Sequence, residues 1–184
     1  MTRIAVVLGS VRPNRSGAGV AQWVLDKANT VEGVEAELGD VASFGLPVFA
    51  EEVPPMMAAP KDPAAVAWNE ALSAYDAFIF VTPEYNRSIP GALKNAIDFT
   101  VPAALANKAV GLVAYSYYNG FRPVEHLRDI LVNFTTGVVG PQVNLSLVTD
   151  VADGAFAPAP FRDGEIAALV EAVVTQDKAL STLR

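Results

Sequence analysis

Two hydrophobic patterns alternate along the chain and predict an α/β fold. Short apolar or alternating runs bounded by polar residues are typical of buried strands, and they cover residues 3–9, 34–38, 78–81, 109–115 and 137–148. Apolar residues at helical spacing follow each run, in residues 18–28, 63–75, 92–99, 124–134 and 166–174. Strands that alternate with helices in this way form a parallel sheet with helices on both faces.

Two further features predict the order of the strands. Crossovers between parallel strands are right-handed, which leaves few ways to wind the sheet. Pro141 interrupts the fifth strand and removes a ladder donor, so this strand is expected at an edge. Both features fit the doubly wound five-stranded order 2-1-3-4-5. Because the chain shows no internal repeat and no long linker, we expect a single domain over residues 1–184, with an irregular proline-rich stretch at 41–60.

The loop after the first strand, residues 10–17, carries the strongest chemical signal. It contains two serines and two arginines, and it opens the first helix. A helix N-terminus offers free N–H groups and roughly half a positive charge, which favours a phosphate. Gly17 lets the backbone come close to such a ligand. The spacing matches neither the dinucleotide fingerprint nor a P-loop. A surface loop with two solvated arginines is the alternative.

Two more polar loops follow neighbouring strands. Residues 83–91 lie between the third strand and its helix, and residues 116–120 follow the fourth strand. In an open parallel sheet, ligands bind beyond the carboxyl ends of the strands, so all three loops are expected to line one crevice. Proline and asparagine also mark ordinary turns, which leaves a plain strand-to-helix turn open for residues 83–91.

Composition narrows the possible partners. The formal net charge of −7 argues against nucleic acid or an anionic membrane, because both favour basic surfaces. The chain has no cysteine and a single histidine, His126, so cysteine chemistry and a histidine-rich metal site are excluded. No apolar run matches a signal peptide or a membrane span, and we therefore expect a cytoplasmic protein.

Two motifs make the chain resemble the NAD(P)H-dependent FMN reductase family. They are GSxRxxR at residues 9–15 and PEYNxSxPGxLKN at residues 83–95, with VAxWV at residues 20–24 between them. The family is flavodoxin-like and includes quinone, azo-dye and chromate reductases. The resemblance implies bound FMN, NADPH or NADH as co-substrate, and a quinone, azo compound, metal oxyanion or free flavin as acceptor. It also implies a homodimer or homotetramer.

The resemblance also implies roles for the three loops. The first would hold the FMN phosphate, the second would follow the isoalloxazine and ribityl groups, and the third would face the other side of the ring. No side chain is expected to be catalytic, because flavin N5 carries the hydride step. The third loop has fewer glycines than the family pattern, and its added bulk is expected to narrow the space over the flavin. The residues expected to bind FMN are Ser10, Arg12, Arg15, Ser16, Gly17, Pro83, Glu84, Tyr85, Asn86, Ser116, Tyr117 and Gly120.

Two other functions remain open at this point. A flavodoxin-type carrier would exchange single electrons without a nicotinamide site, although paired arginines are unlike its usual Thr- and Gly-rich phosphate loop. A non-catalytic flavin-binding module could share the fold, because fold alone does not fix function. Oxidation of NAD(P)H by the purified protein distinguishes the enzyme from both.

Overall fold

The computed structural model describes all residues, Met1–Arg184, and has one parallel five-stranded sheet at its centre. Its order is β2-β1-β3-β4-β5, with every neighbouring pair parallel, so the predicted fold is confirmed. The strands are β1 (Thr2–Leu8), β2 (Val34–Asp40), β3 (Ala77–Pro83), β4 (Ala109–Ser116) and β5 (Gly137–Ser146).

Helices pack on both faces of this sheet. They are α1 (Gly17–Ala28), α2 (Val41–Phe44), α3 (Pro63–Ser73), α4 (Gly91–Asp98), α5 (Pro102–Leu105), α6 (Phe121–Val132) and α7 (Arg162–Leu180), followed by a 3-10 turn at Ser181–Leu183. The single-turn helices α2 and α5 were not predicted. In α2, the Asp40 carboxylate caps the turn by accepting from the Ala42 N–H at 3.0 Å, a local bond that hydrophobic periodicity does not reveal.

The segment after β5 contains secondary structure that the hydrophobic pattern does not predict. It contains a small antiparallel hairpin formed by β6 (Val151–Ala152) and β7 (Ala155–Phe156). Asp153 and Gly154 form its tip with φ angles of 51° and 77°. Asp-Gly is a strong signal for a two-residue hairpin turn, but the flanking strands are too short to show the alternation that predicts a hairpin.

The sheet separates two hydrophobic cores. Side chains alternate along β3, so that Ile79 and Val81 face α1 and α7, whereas Phe78 and Phe80 face α3, α4 and α6. Every residue of β3 and β4 is buried, which explains why these strands read as continuous apolar runs. The outer strand β5 changes register opposite Val110 and Leu112, and Pro141 lies in that irregularity at the sheet edge, where it was expected.

The parallel arrangement brings the ends of β1, β3 and β4 to one edge of the sheet, where the three polar loops begin. A buried ion pair between Asp150 and Arg162 (3.1 Å) anchors the segment that follows β5 beside them. Burial by itself would raise the pKa of Asp150, but hydrogen bonds from the Ser146 N–H and from Arg162 outweigh it, so this pKa is lowered. None of the helices is long and apolar enough to span a membrane.

Candidate functional site

A cavity of about 730 Å³ lies at the carboxyl edge of the sheet, between the three loops. Its lining includes most of the residues predicted from the sequence: Arg12, Arg15, Ser16, Pro83, Glu84, Tyr85, Asn86, Ser116 and Tyr117. The other predicted residues, Ser10, Gly17 and Gly120, are buried behind this lining. Six further residues line the cavity that sequence reasoning did not assign to it: Asn14, Arg87, Tyr115, Tyr118, Arg122 and Leu147.

The first loop presents a row of free backbone donors. The N–H groups of residues 11, 12 and 14–16 donate to no acceptor within the protein. Ser16 is the N-cap residue of α1, yet its hydroxyl makes no capping bond. The Arg12 side chain is exposed beside them and lines the cavity. Free N–H groups, a hydroxyl and a guanidinium at a helix N-terminus form an anion-binding site.

Gly17 makes room for a buried tyrosine under this helix end. A Cβ atom at Gly17 would overlap the Tyr115 hydroxyl oxygen, so no larger residue fits here without a shift. Tyr115 is 4% exposed, and its burial, with the nearby Tyr85 phenol, raises its pKa. The phenol therefore remains neutral and can accept a hydrogen bond from the Gly17 N–H.

Ser10 and Arg15 shape the first loop from within. The buried Ser10 hydroxyl is hydrogen-bonded to the Tyr85 hydroxyl at 2.8 Å, which ties the first loop to the second. Arg15 donates to the Ser10 carbonyl at 2.6 Å and pairs with Asp40 at the end of β2. Arg15 thus uses its donors to hold the first loop in shape, whereas the Arg12 guanidinium donates no hydrogen bond within the protein.

An ionic cluster joins the second loop to the third. The Glu84 side chain is 6% exposed and accepts hydrogen bonds from Arg122 at 2.6 Å and from the Ser116 hydroxyl at 3.1 Å. That hydroxyl also accepts from the N–H groups of Tyr118 (2.9 Å) and Gly120 (2.8 Å). Ser116 has then used its one donor and both acceptor positions, so its side chain holds the third loop in place.

Aromatic side chains stand at the mouth of the cavity. Tyr117 and Tyr118 are each 71% exposed, and the Arg122 guanidinium lies 5.3 Å from the centre of the Tyr118 ring. The loop turns back through Asn119 and Gly120, with φ angles of 63° and 65°, so both tyrosines project outward. Exposed aromatic faces beside a polar cavity suit a planar aromatic ligand.

The cavity is positively charged in an acidic protein. Four arginines line it, Arg12, Arg15, Arg87 and Arg122, against the single carboxylate of Glu84. No cluster of three or more His, Asp or Glu side chains is arranged to hold a metal ion. The arrangement is suited to binding anionic and aromatic groups.

Sequence reasoning missed Arg122 and Tyr115 for different reasons. Arg122 lies in the first turn of α6 and reaches the cavity through its pairing with Glu84, 38 positions earlier in the chain. Tyr115 ends a buried strand, and only the alternation of side chains along β4 places it beneath α1. Arg87 could have been found, because it lies inside the PEYNxS motif.

Comparison with known proteins identifies one family. The family model described as NADPH-dependent FMN reductase matches residues 2–150. An NAD(P)H-dependent FMN reductase from Nectria sp is 36% identical over 137 residues, which cover 71% of this chain and 68% of that protein. An NAD(P)H:quinone oxidoreductase from Solanum tuberosum is 32% identical over 132 residues, which cover 70% of this chain and 66% of that protein.

A solved structure shows the same fold. The flavoenzyme NAD(P)H:(acceptor) oxidoreductase from Paracoccus denitrificans superimposes with a TM-score of 0.70 at 24% identity. The match covers 96% of this chain and 99% of that one.

Proposed function

Because the chain belongs to the NADPH-dependent FMN reductase family, we propose that the cavity between the three loops is its FMN site. The protein is an FMN-dependent oxidoreductase that takes hydride from NAD(P)H and reduces flavin or quinone acceptors. We further propose that residues 1–184 form one FMN-binding domain.

The residues present fit FMN. Its phosphate requires a cluster of donors, and the N-terminus of α1 offers free N–H groups, the Ser16 hydroxyl and the unpaired Arg12. Its ring system requires a wide slot with aromatic and polar walls. The cavity of about 730 Å³ has that size and lies between the second and third loops. The row of free donors at the helix N-terminus is the observation that carries this proposal.

The protein's own part in the reaction is to bind, orient and shield. When bound, FMN supplies the hydride acceptor and the two-electron donor of the reaction. Arg12 and Ser16 would fix the phosphate end, while Ser10 and Arg15 keep the first loop in shape. Residues 83–86 and Tyr117 would line the two sides of the ring. Gly17 lets the N-terminus of α1 pack against Tyr115, and Gly120 lets the third loop pack against Ala114.

The Glu84–Arg122 pair sets the distance between the second and third loops. Glu84 is deeply buried and ties Arg122 and Ser116 together, so the width of the slot is fixed before a ligand enters.

The acceptor is a small molecule, and we propose the quinones as its main class. Tyr117 and Tyr118 narrow the mouth, which leaves room for one flat ring system at a time. The nicotinamide and the acceptor would then occupy the same place in turn. Azo compounds, metal oxyanions and free flavin are further acceptors to test.

We also propose that the protein forms a homodimer or homotetramer. Several apolar side chains of the segment between α2 and α3 are exposed, among them Val48 (86%), Met56 (75%) and Met57 (73%). An exposed apolar patch of this kind often marks a protein contact. Light scattering during gel filtration would give the mass. A monomer of 19.4 kDa at micromolar concentration would contradict this proposal.

The decisive experiment is spectroscopic. The purified protein should bind FMN, whose visible absorbance should bleach when NADPH or NADH is added without air and return when a quinone is added. Double-reciprocal plots for nicotinamide and quinone should be parallel, as expected for ping-pong turnover. A protein that binds FMN but does not oxidise either nucleotide would instead be an electron carrier or a binding module. Intersecting lines would contradict the shared binding place.

A further inference from the structure

The tip of the second loop contains an unusual backbone conformation. Tyr85 and Ser88 exchange two backbone hydrogen bonds, of 2.9 Å and 3.1 Å, across the two residues between them. Those residues, Asn86 and Arg87, have positive φ angles of 49° and 72°. This is the pattern of a type I′ turn, in which asparagine suits the first position and glycine the second. An arginine at the second position is held in a disfavoured conformation.

No hydrogen bond or ion pair of the Arg87 side chain within the protein offsets this unfavourable backbone conformation. Its side chain is exposed, it donates no hydrogen bond, and no carboxylate lies within 4.0 Å of it. It nevertheless lines the cavity. Strain that the fold does not offset is concentrated at functional sites, and this observed outlier therefore points to a ligand.

The charges of the cavity indicate what that ligand is. Arg15 is engaged with Asp40, and Arg122 is engaged with Glu84. Arg12 lies at the N-terminus of α1, the proposed site of the FMN phosphate. Arg87 is the remaining cation of the lining, and its exposed side chain has no hydrogen-bond or ion-pair partner in the protein. A second phosphate group, which the co-substrate brings, is its natural partner.

NADPH differs from NADH by a 2′-phosphate that adds roughly −1.5 to −2 charge. A protein with a net charge of −7 repels this group unless a local cation compensates. In Rossmann folds, sites for NADH place a carboxylate on the ribose hydroxyl, whereas an arginine accommodates the 2′-phosphate, and the same charge preference is expected in this cavity. Here the only carboxylate of the cavity, Glu84, is already paired.

We propose that Arg87 binds the 2′-phosphate of NADPH and makes the enzyme prefer NADPH over NADH. The inference rests on the proposed function of the same cavity. The turn places Arg87 at the tip of the second loop, where its guanidinium would contribute to co-substrate choice and take no part in the hydride step.

The test compares Arg87→Gly and Arg87→Lys with a control, Lys178→Gln. Lys178 is exposed in the last turn of α7. The adjacent Asp177 accepts a hydrogen bond from Thr2, at the start of β1, so Lys178 lies near the edge of the sheet opposite the cavity. Its replacement removes one positive charge far from the cavity. KM values for NADPH and NADH are measured on FMN-loaded protein, and binding of 2′,5′-ADP and 5′-ADP is measured by calorimetry.

Arg87→Gly should raise the KM for NADPH at least tenfold and leave the KM for NADH within twofold. It should abolish the preference for 2′,5′-ADP over 5′-ADP, with Arg87→Lys intermediate and Lys178→Gln unchanged. It should also melt at a higher temperature than the original protein, because glycine relieves the turn. A merely structural arginine would show the opposite change in stability and no selective effect on NADPH.

Equal rises in both KM values, or a 2′,5′-ADP preference that survives in Arg87→Gly, would overturn the proposal. The calorimetry distinguishes a failure of this proposal for Arg87 from a failure of the proposed function. If the original protein oxidised neither nucleotide, the proposed oxidoreductase function would be refuted. Selective loss of 2′,5′-ADP binding in Arg87→Gly would still support this role of Arg87, and its absence would refute it.

Discussion

The ion pair between Glu84 and Arg122 should stabilise the apoprotein as well as shape the cavity. We expect Arg122→Met, which keeps most of the apolar stem, to leave the Glu84 carboxylate buried with only the Ser116 hydroxyl at 3.1 Å as a side-chain partner. Breaking a fully buried pair costs about 3–5 kcal/mol, whereas exposed pairs contribute about 0.2–1 kcal/mol. Glu84 is 6% exposed and Arg122 is 37% exposed, so the pair lies between these limits.

We therefore expect Arg122→Met to lower the free energy of unfolding by about 2 kcal/mol, close to the contribution of a hydrogen bond between charged groups. In a chain of 184 residues this corresponds to a fall in Tm of about 4–8 °C. The assay is urea and thermal unfolding of the FMN-free protein. Arg122→Met and Glu84→Gln, alone and combined, complete a double-mutant cycle whose coupling energy we expect at about 1–2 kcal/mol.

The Lys94–Asp98 pair on α4 provides a matched control. Its nitrogen–oxygen distance is the same 2.6 Å, but its side chains are 46% and 38% exposed. Solvent screening should reduce the coupling of this pair to about 0.3–0.5 kcal/mol. If the Glu84–Arg122 cycle gave no larger coupling than this control, burial would not be what strengthens the pair, and the role assigned to it would be refuted.

Three further predictions concern the first loop and the opposite edge of the sheet. Gly17→Ala should destabilise the protein by about 1–3 kcal/mol in urea unfolding, because the added Cβ overlaps Tyr115, and the additional change Tyr115→Phe should restore part of the loss. In the control Gly164→Ala, the added Cβ meets nothing within 4 Å, so stability should be unchanged or higher. Arg12→Ala should weaken FMN binding by about 1.5–3 kcal/mol in a fluorescence titration and leave riboflavin binding unchanged, because riboflavin lacks the phosphate. Burial, with the nearby Arg184, lowers the pKa of Lys108 from 10.5 to about 8 in the folded protein. Between these two pH values the unfolded chain binds more protons than the folded protein, so the free energy of unfolding should rise with pH across that window. Lys108→Met should lose this rise when unfolding is measured at pH 7 and pH 10, and an equal pH dependence in both proteins would contradict the assignment.

Local sequence determined most of the fold. The apolar runs at β1, β3 and β4 are continuous because these strands are buried on both faces, and helical spacing placed α1, α3, α6 and α7. Pro141 placed β5 at the edge because a missing N–H is tolerated there. The loops of the site could also be predicted, because any loop that follows a parallel strand lies at the carboxyl edge.

Only the tertiary structure decided what each side chain in those loops does. The sequence presents Arg12 and Arg15 as equivalent, yet Asp40 at the end of β2 engages Arg15 and leaves Arg12 free. Glu84 and Arg122 are 38 positions apart and meet because β3 and β4 are neighbours in the sheet. Partners of this kind are fixed by strand order and register, which bring distant residues within bonding distance. Periodicity and propensity act over a few residues, and they carry no information about those distances.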